Sequence, residues 1–172
     1  DFDQQGYEGA AKFEQAPSYR SLVKYYQLTE DQESLDVARK VARFVLKPGM
    51  WEDTSAQGYP GHEHGIWAGH VHGNATNHHA LLDLAVVDNN AWLKQFVRET
   101  YDHSVRNGIV RMGWFPSWTL PEKYRRHAAY HSVDEPCATA DILILAVKLT
   151  DAGMGDYWDD VDAIVRNHLT EH

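Results

Sequence analysis

Three stretches of the chain follow one plan, and that repetition constrains the fold more than any single residue does. Residues 18–46, 74–105 and 135–169 each read as an apolar segment, a short polar turn and an amphipathic segment. The turns are Thr29-Glu30-Asp31, Asp88-Asn89-Asn90 and Thr150-Asp151-Ala152-Gly153. They recur roughly 60 residues apart, a spacing that suits helical hairpins joined by long connections. In the second segments the apolar positions keep a helical period. Leu35, Ala38, Val41, Ala42, Val45 and Leu46 share one face, as do Trp92, Leu93, Phe96, Val97 and Thr100, and Trp158, Val161, Ile164, Val165 and Leu169. Asp36, Arg39 and Lys40, or Lys94, Arg98 and Asp102, occupy the opposite faces. By this period Trp92 and Trp158 belong to the core.

The first segments are apolar nearly all round, as in residues 80–87 and 142–147, and such helices are buried on most sides. The expected fold is therefore all-α, a single helical domain over residues 1–172 with a buried layer inside an amphipathic one. That layering is the plan of an α/α toroid. Six hairpins close such a ring and this chain has three, so the reading is half a toroid. The inner helices, about residues 21–28, 79–87 and 141–149, then need a covering partner, either a second copy in a homodimer or the missing half of the ring.

Composition narrows the function. The chain has 172 residues, with Asp+Glu at 25, Lys+Arg at 16 and a formal net charge of -9. That balance repels phosphate backbones and argues against nucleic-acid partners. No apolar run approaches the ~20 residues that span a bilayer, so no membrane partner is expected. No signal peptide is visible, and a processed chain would look the same, so the compartment stays open. Cys137 is the one cysteine, which excludes an intramolecular disulfide and a cysteine-rich zinc site built from this chain alone. As a small hydrophobe, Cys137 is expected to pack rather than react.

The unusual residues concentrate in two connections, 48–73 and 108–134, each about 26 residues long. Both lead from an outer helix back to the start of an inner one, so both belong at the N-terminal mouth of the inner layer. The first carries Tyr59, His62-Glu63-His64, Trp67 and His70-Val71-His72-Gly73-Asn74, followed by Asn77-His78-His79. Histidine serves as metal ligand or as general acid and base near neutral pH. The spacing is not that of a helical His-Glu-x-x-His zinc site. Three readings follow: a sugar-binding or catalytic cleft, a divalent-metal site at the His cluster, or a structural loop whose histidines bond backbone carbonyls.

The second connection leads into His131-Ser132-Val133-Asp134-Glu135-Pro136-Cys137. Pro136 suits a first helical turn, and Asp134 or Glu135 suits a cap. Either carboxyl, placed at the mouth, also suits acid–base work. Aromatic faces for sugar rings come from Trp67, Trp114, Phe115, Trp118, Tyr59 and Tyr130, although long loops also need aromatic anchors. Near the N-terminus, Glu8 and Glu14 add further carboxylates, and Gly6 and Gly9 lack the lysine and spacing of a phosphate loop.

Short motifs also carry a resemblance. Tyr25-Tyr26-Gln27-Leu28-Thr29-Glu30-Asp31 with Ala38-Arg39-Lys40 resembles the repeated helix-turn-helix of six-hairpin glycosidases. Gly69-His70-Val71-His72-Gly73-Asn74 is similar to the opening of an inner helix in the β-L-arabinofuranosidase group, and Glu135-Pro136-Cys137-Ala138 to that group's Glu-Ser-Cys-Ala. There the Glu and Cys help to bind zinc beside a nucleophilic cysteine pair. Only Glu135 and Cys137 match, so neither the zinc nor the nucleophile carries over. The known relatives are much longer, which agrees with a half-toroid.

The expected function is a glycoside hydrolase or allied carbohydrate-active enzyme with a carbohydrate substrate and no cofactor. Its catalytic candidates are Glu135, Asp134, Glu63, His70 and His72. Its substrate-binding candidates are Trp67, Trp114, Trp118, His62, His64, Asn74, Tyr59 and His131. The alternatives are a metal-dependent enzyme using the His cluster and a non-catalytic, glycan-binding half-toroid.

Overall fold

The computed structural model describes residues 8–46, 69–119 and 135–171, which fold as an all-α chain. Six helices make three successive pairs: α1 (Glu8–Thr29) with α2 (Gln32–Val45), α3 (Val71–Val87) with α4 (Ala91–Ser104), and α5 (Pro136–Asp151) with α6 (Trp158–Ile164). Residues Val165–Leu169 continue α6 as a π-helical turn.

The turns show why each pair breaks where it does. Glu30 (φ 61°), Asn89 (φ 47°) and Gly153 (φ 70°) each take a left-handed conformation just past the first helix, which ends the helix and reverses the chain. A polar cap then starts the second helix. Asp31 accepts from the Ser34 amide at 2.9 Å, and Asn90 accepts from the Leu93 amide at 3.0 Å. In the third turn Asp156 accepts from the Trp158 amide at 3.2 Å.

The first helices of the three pairs lie side by side in the order α1, α3, α5. Their cross-links show that they run parallel. Tyr19 and Lys24 on α1 meet Asn77 and Asp83 on α3, in the same order along both helices. His70, His72 and Asp83 meet Glu135, Asp141 and Lys148 in the same way along α5. Helix α3 is central and buried on nearly every side, from Val71 through Ala75, Leu81 and Leu82 to Ala85. Helix α2 buries Leu35, Ala38, Val41, Ala42 and Val45, the stripe its period predicts.

Two expectations need correction. Trp92 is 65% exposed and Trp158 is 53% exposed, so neither is core. Both stand at the first position or two of their helices, where the neighbouring layer no longer covers the apolar face. Trp92 instead stacks flat on Phe96, with ring centroids 5.7 Å apart. Helix α5 is also less enclosed than its composition suggests: it buries Ala138, Ile142, Leu145, Ala146 and Leu149 on one stripe and leaves Ile144 exposed.

The chain after α4 returns to the start of α3. Ile109 bridges Trp114, Phe115 and Ser117 are buried, and the Ser117 carbonyl accepts from the Val71 amide at 2.9 Å. β1 (Gly69–His70) then pairs antiparallel with β2 (Trp118–Thr119), with His70 opposite Trp118. This two-stranded clasp fixes the entry to α3 against the second connection. Among the described residues no helix is long and apolar enough to cross a membrane.

Candidate functional site at the mouth of two parallel helices

Helices α3 and α5 begin beside each other. His70 is the N-cap of α3 and Glu135 the N-cap of α5, yet neither side chain caps its own helix. They turn to each other instead, His70 Nε2 lying 2.8 Å from Glu135 Oε2. The Glu135 carboxylate thus joins two helices rather than closing one helix end. Pro136 takes the first helical position, where its missing N–H costs no helical hydrogen bond.

Two residues on along α3 and six on along α5, His72 Nδ1 bonds Asp141 Oδ2. The His70 and His72 rings meet edge to face with centroids 5.6 Å apart, so the two His–carboxylate pairs form one cluster. Asp141 is mostly buried, and loss of hydration pushes its carboxyl up from the ordinary range, against the lowering pull of His72. Glu135 adds to the upward push, so the two carboxyls sense each other.

Beneath them lies His79, fully buried. Its Nε2 donates to the Asp141 carbonyl at 2.8 Å, which leaves Nδ1 as the bare nitrogen, 3.9 Å from Asp141 Oδ1. Burial lowers the His79 pKa to about 4. His78 Nδ1 donates to the Asn74 carbonyl at 2.7 Å, and its ring stacks on Phe96. Asn77 Nδ2 donates to the Gly73 carbonyl at 3.2 Å and its side-chain oxygen accepts from the Tyr19 hydroxyl at 3.2 Å. The structural reading therefore holds for His78 and Asn77, which tie helices together.

The mouth brings together His70, His72 and Glu135 as the sequence suggested, and adds Asp141. Asn74 is fully buried one turn inside α3. The backbone of Trp118 lies opposite His70 in the clasp. Trp114 is half-buried on the returning segment, and no described contact joins its ring to the His–carboxylate pairs. Phe115 is an internal anchor, 2% exposed. Tyr59, His62, Glu63, His64, Trp67, His131 and Asp134 lie outside the described residues. Cys137 does not pack as expected: it is exposed, because it falls on the open side of the α5 first turn. Partial burial and the Glu135 hydrogen bond push its thiol up, away from a thiolate.

Asp141 is the residue that sequence reading missed. A lone acid six positions into an apolar helix reads as an ordinary polar interruption; the signal was its i+6 distance from Glu135 on a segment with no other acid before Asp151.

Glu135 and Cys137 do not make the zinc set of the β-L-arabinofuranosidase group. The chain has one cysteine where that set needs more, and among the described residues no three His, Cys, Asp or Glu side chains converge as metal ligands. Comparison with protein-family models, curated proteins and solved structures finds no match for the chain, so the site is read from its own geometry.

Proposed function

We propose that the chain is a carbohydrate-active enzyme, a glycoside hydrolase whose reacting groups are Asp141 and Glu135. One observation carries the reading. Two N-cap side chains forgo their own helices to form a His–carboxylate pair, beside a second such pair, at one mouth. Hydrolysis of a glycosidic bond needs one carboxyl that holds a proton and one that is ionised. Asp141, pushed up by burial, is the acid: its proton passes to the glycosidic oxygen as the bond to the anomeric carbon breaks. Glu135, at the wetter rim, is the base: it takes a proton from the water that adds to that carbon. His70 and His72 hold the two carboxyls and return the protons. The helix dipoles of α3 and α5 both point their positive ends at this mouth, which favours polar or anionic ligands.

In the same proposal the three helix pairs are half of an α/α toroid, related to six-hairpin glycosidases, whose other half comes from a second copy or from further chain. The remaining aromatic candidates of the two connections would supply the walls of the cleft.

The test is a screen of aryl glycosides with the wild type and Glu135→Gln. The variant keeps shape and removes charge and proton. Turnover is expected to vanish while the far-UV spectrum and melting temperature hold. Turnover that survives with a lowered melting temperature makes Glu135 a helix tie only. A wild type that binds glycans but cleaves none favours the non-catalytic half-toroid. Turnover that requires an added divalent ion favours the His-cluster metal enzyme.

A further inference from the structure

A second feature lies two turns deeper on the same three helices. Asp83 on α3 is nearly buried, and three cations converge on it. Lys148 of α5 takes the close bond. Lys24 Nζ of α1 stands 3.4 Å away and Arg20 Nε 3.7 Å away, and Asp83 Oδ2 makes no hydrogen bond. One carboxylate cannot balance three cations. Lys148, the least exposed of them, makes the hydrogen bond, and Arg20 and Lys24 stay one-third and one-half exposed. Asp141 offsets part of Arg20, but its burial favours the neutral acid.

Arg20 and Lys24 face a groove of about 550 Å³ between α1 and α3, which Ser21, Tyr25, Leu28 and Thr76 also line. Among the described residues that line it there are two cations and no carboxylate, in a chain whose net charge is -9. Its size suits a small ligand. Tyr25 offers a half-exposed ring face of the kind that stacks on a sugar. Thr76 donates to the His72 carbonyl at 2.6 Å, which leaves its oxygen free to accept, and it stands one turn from the His72–Asp141 pair. Through Thr76 the groove comes within one turn of α3 of the candidate mouth.

We infer that this groove is a subsite for an acidic sugar, its carboxylate held by Lys24 and Arg20 and its ring laid on Tyr25. The inference rests on the carbohydrate reading above and gives that site a substrate class, uronate-bearing glycans. An isolated lysine on an acidic surface would attract any anion weakly; a paired cation site with an aromatic floor and hydroxyls beside it selects a charged, hydroxylated ring.

Binding is measured by calorimetry, without turnover, on galacturonate, mannuronate and guluronate trisaccharides and their methyl esters. At least one acidic form is expected to bind about tenfold tighter than its ester, the scale of one charged hydrogen bond. Lys24→Gln and Arg20→Gln should each erase most of that preference. Both side chains are exposed enough that the helical spectrum and melting temperature should hold. No binding, equal binding of acid and ester, or a preference that survives both variants overturns the subsite. Inorganic phosphate that displaces the trisaccharide at equal concentration also overturns it, leaving a plain anion site. Acid-selective binding without any glycoside turnover keeps the subsite and removes the hydrolase; turnover of neutral glycosides with no acid preference does the reverse.

Discussion

At the scale of single residues, the cluster is organised by burial acting oppositely on an acid and a base. Desolvation raises Asp141 and lowers His79, because each loses more water when charged than when neutral. Arg20 and Lys148 push His79 further down, and Asp83 and the Asp141 carbonyl oppose them. His79 has a folded pKa of about 4 against an ordinary 6.5, so between those values the unfolded chain binds the extra proton. Its contribution to stability is therefore complete above pH 6.5 and is lost as pH falls towards 4, about 3 kcal/mol in all. Asp141 has the opposite sign: its raised pKa means that acid favours the folded state through it. Urea melts from pH 7 to pH 4 should show wild-type stability falling, and His79→Gln should flatten that slope. A wild-type slope unchanged by the substitution would assign the loss to other groups. Asp141→Asn leaves His72 with an amide partner; in the proposed mechanism it removes the acid, so it should slow glycosides with poor leaving groups far more than activated aryl glycosides. A uniform loss over both classes would argue that Asp141 acts only through structure.

At the scale of elements, each helix pair turns on one left-handed residue, and the three differ in how well they suit it. Gly153 takes φ 70° freely, whereas Glu30 at φ 61° carries a Cβ that crowds its own carbonyl. Glu30→Gly should therefore raise stability by about 0.5–1 kcal/mol, seen as a higher melting temperature. A lower melting temperature would mean that the glutamate side chain contributes more to the turn than the strain costs. The same elements carry the ties between layers. Arg39 on α2 grips Asp88 with two nitrogens, the nearer at 2.7 Å, and Tyr101 and Tyr157 reach across α4 and α6 to Asp160 and Asp102 at 2.8 and 3.0 Å. These bonds join α2 to the turn between α3 and α4, and α4 to α6.

At the scale of the molecule, the layer α1–α3–α5 has an inside but its edges are open. Leu28 is 85% exposed near the end of α1, and Val86 and Ile144 are exposed on α3 and α5. If the chain is half of a larger assembly, as proposed, these side chains would lie in its seam. Light scattering across the micromolar range should find self-association, and Ile144→Lys should weaken it without unfolding the chain. A monomer at every concentration would remove the homodimer.

The sequence alone determined the helical class, the three pairs and the place of each turn. These follow from short-range physics: apolar period, cap residues and left-handed turn positions all act within a few residues. It also located His70, His72 and Glu135 near one mouth, because a repeat carries equivalent positions to equivalent places. Tertiary structure alone decided what those side chains do there. Whether Glu135 caps α5 or reaches His70 depends on a neighbour 65 residues away, and whether Asp141 is a surface acid or a buried one depends on α3 packing over it. The exposure of Trp92, Trp158 and Cys137 was equally out of reach, since a period shows which face a residue shares but not whether another layer extends far enough to cover it. The convergence of Arg20, Lys24 and Lys148 on Asp83 is of the same kind: four charges on three helices become one site only when parallel packing brings them level.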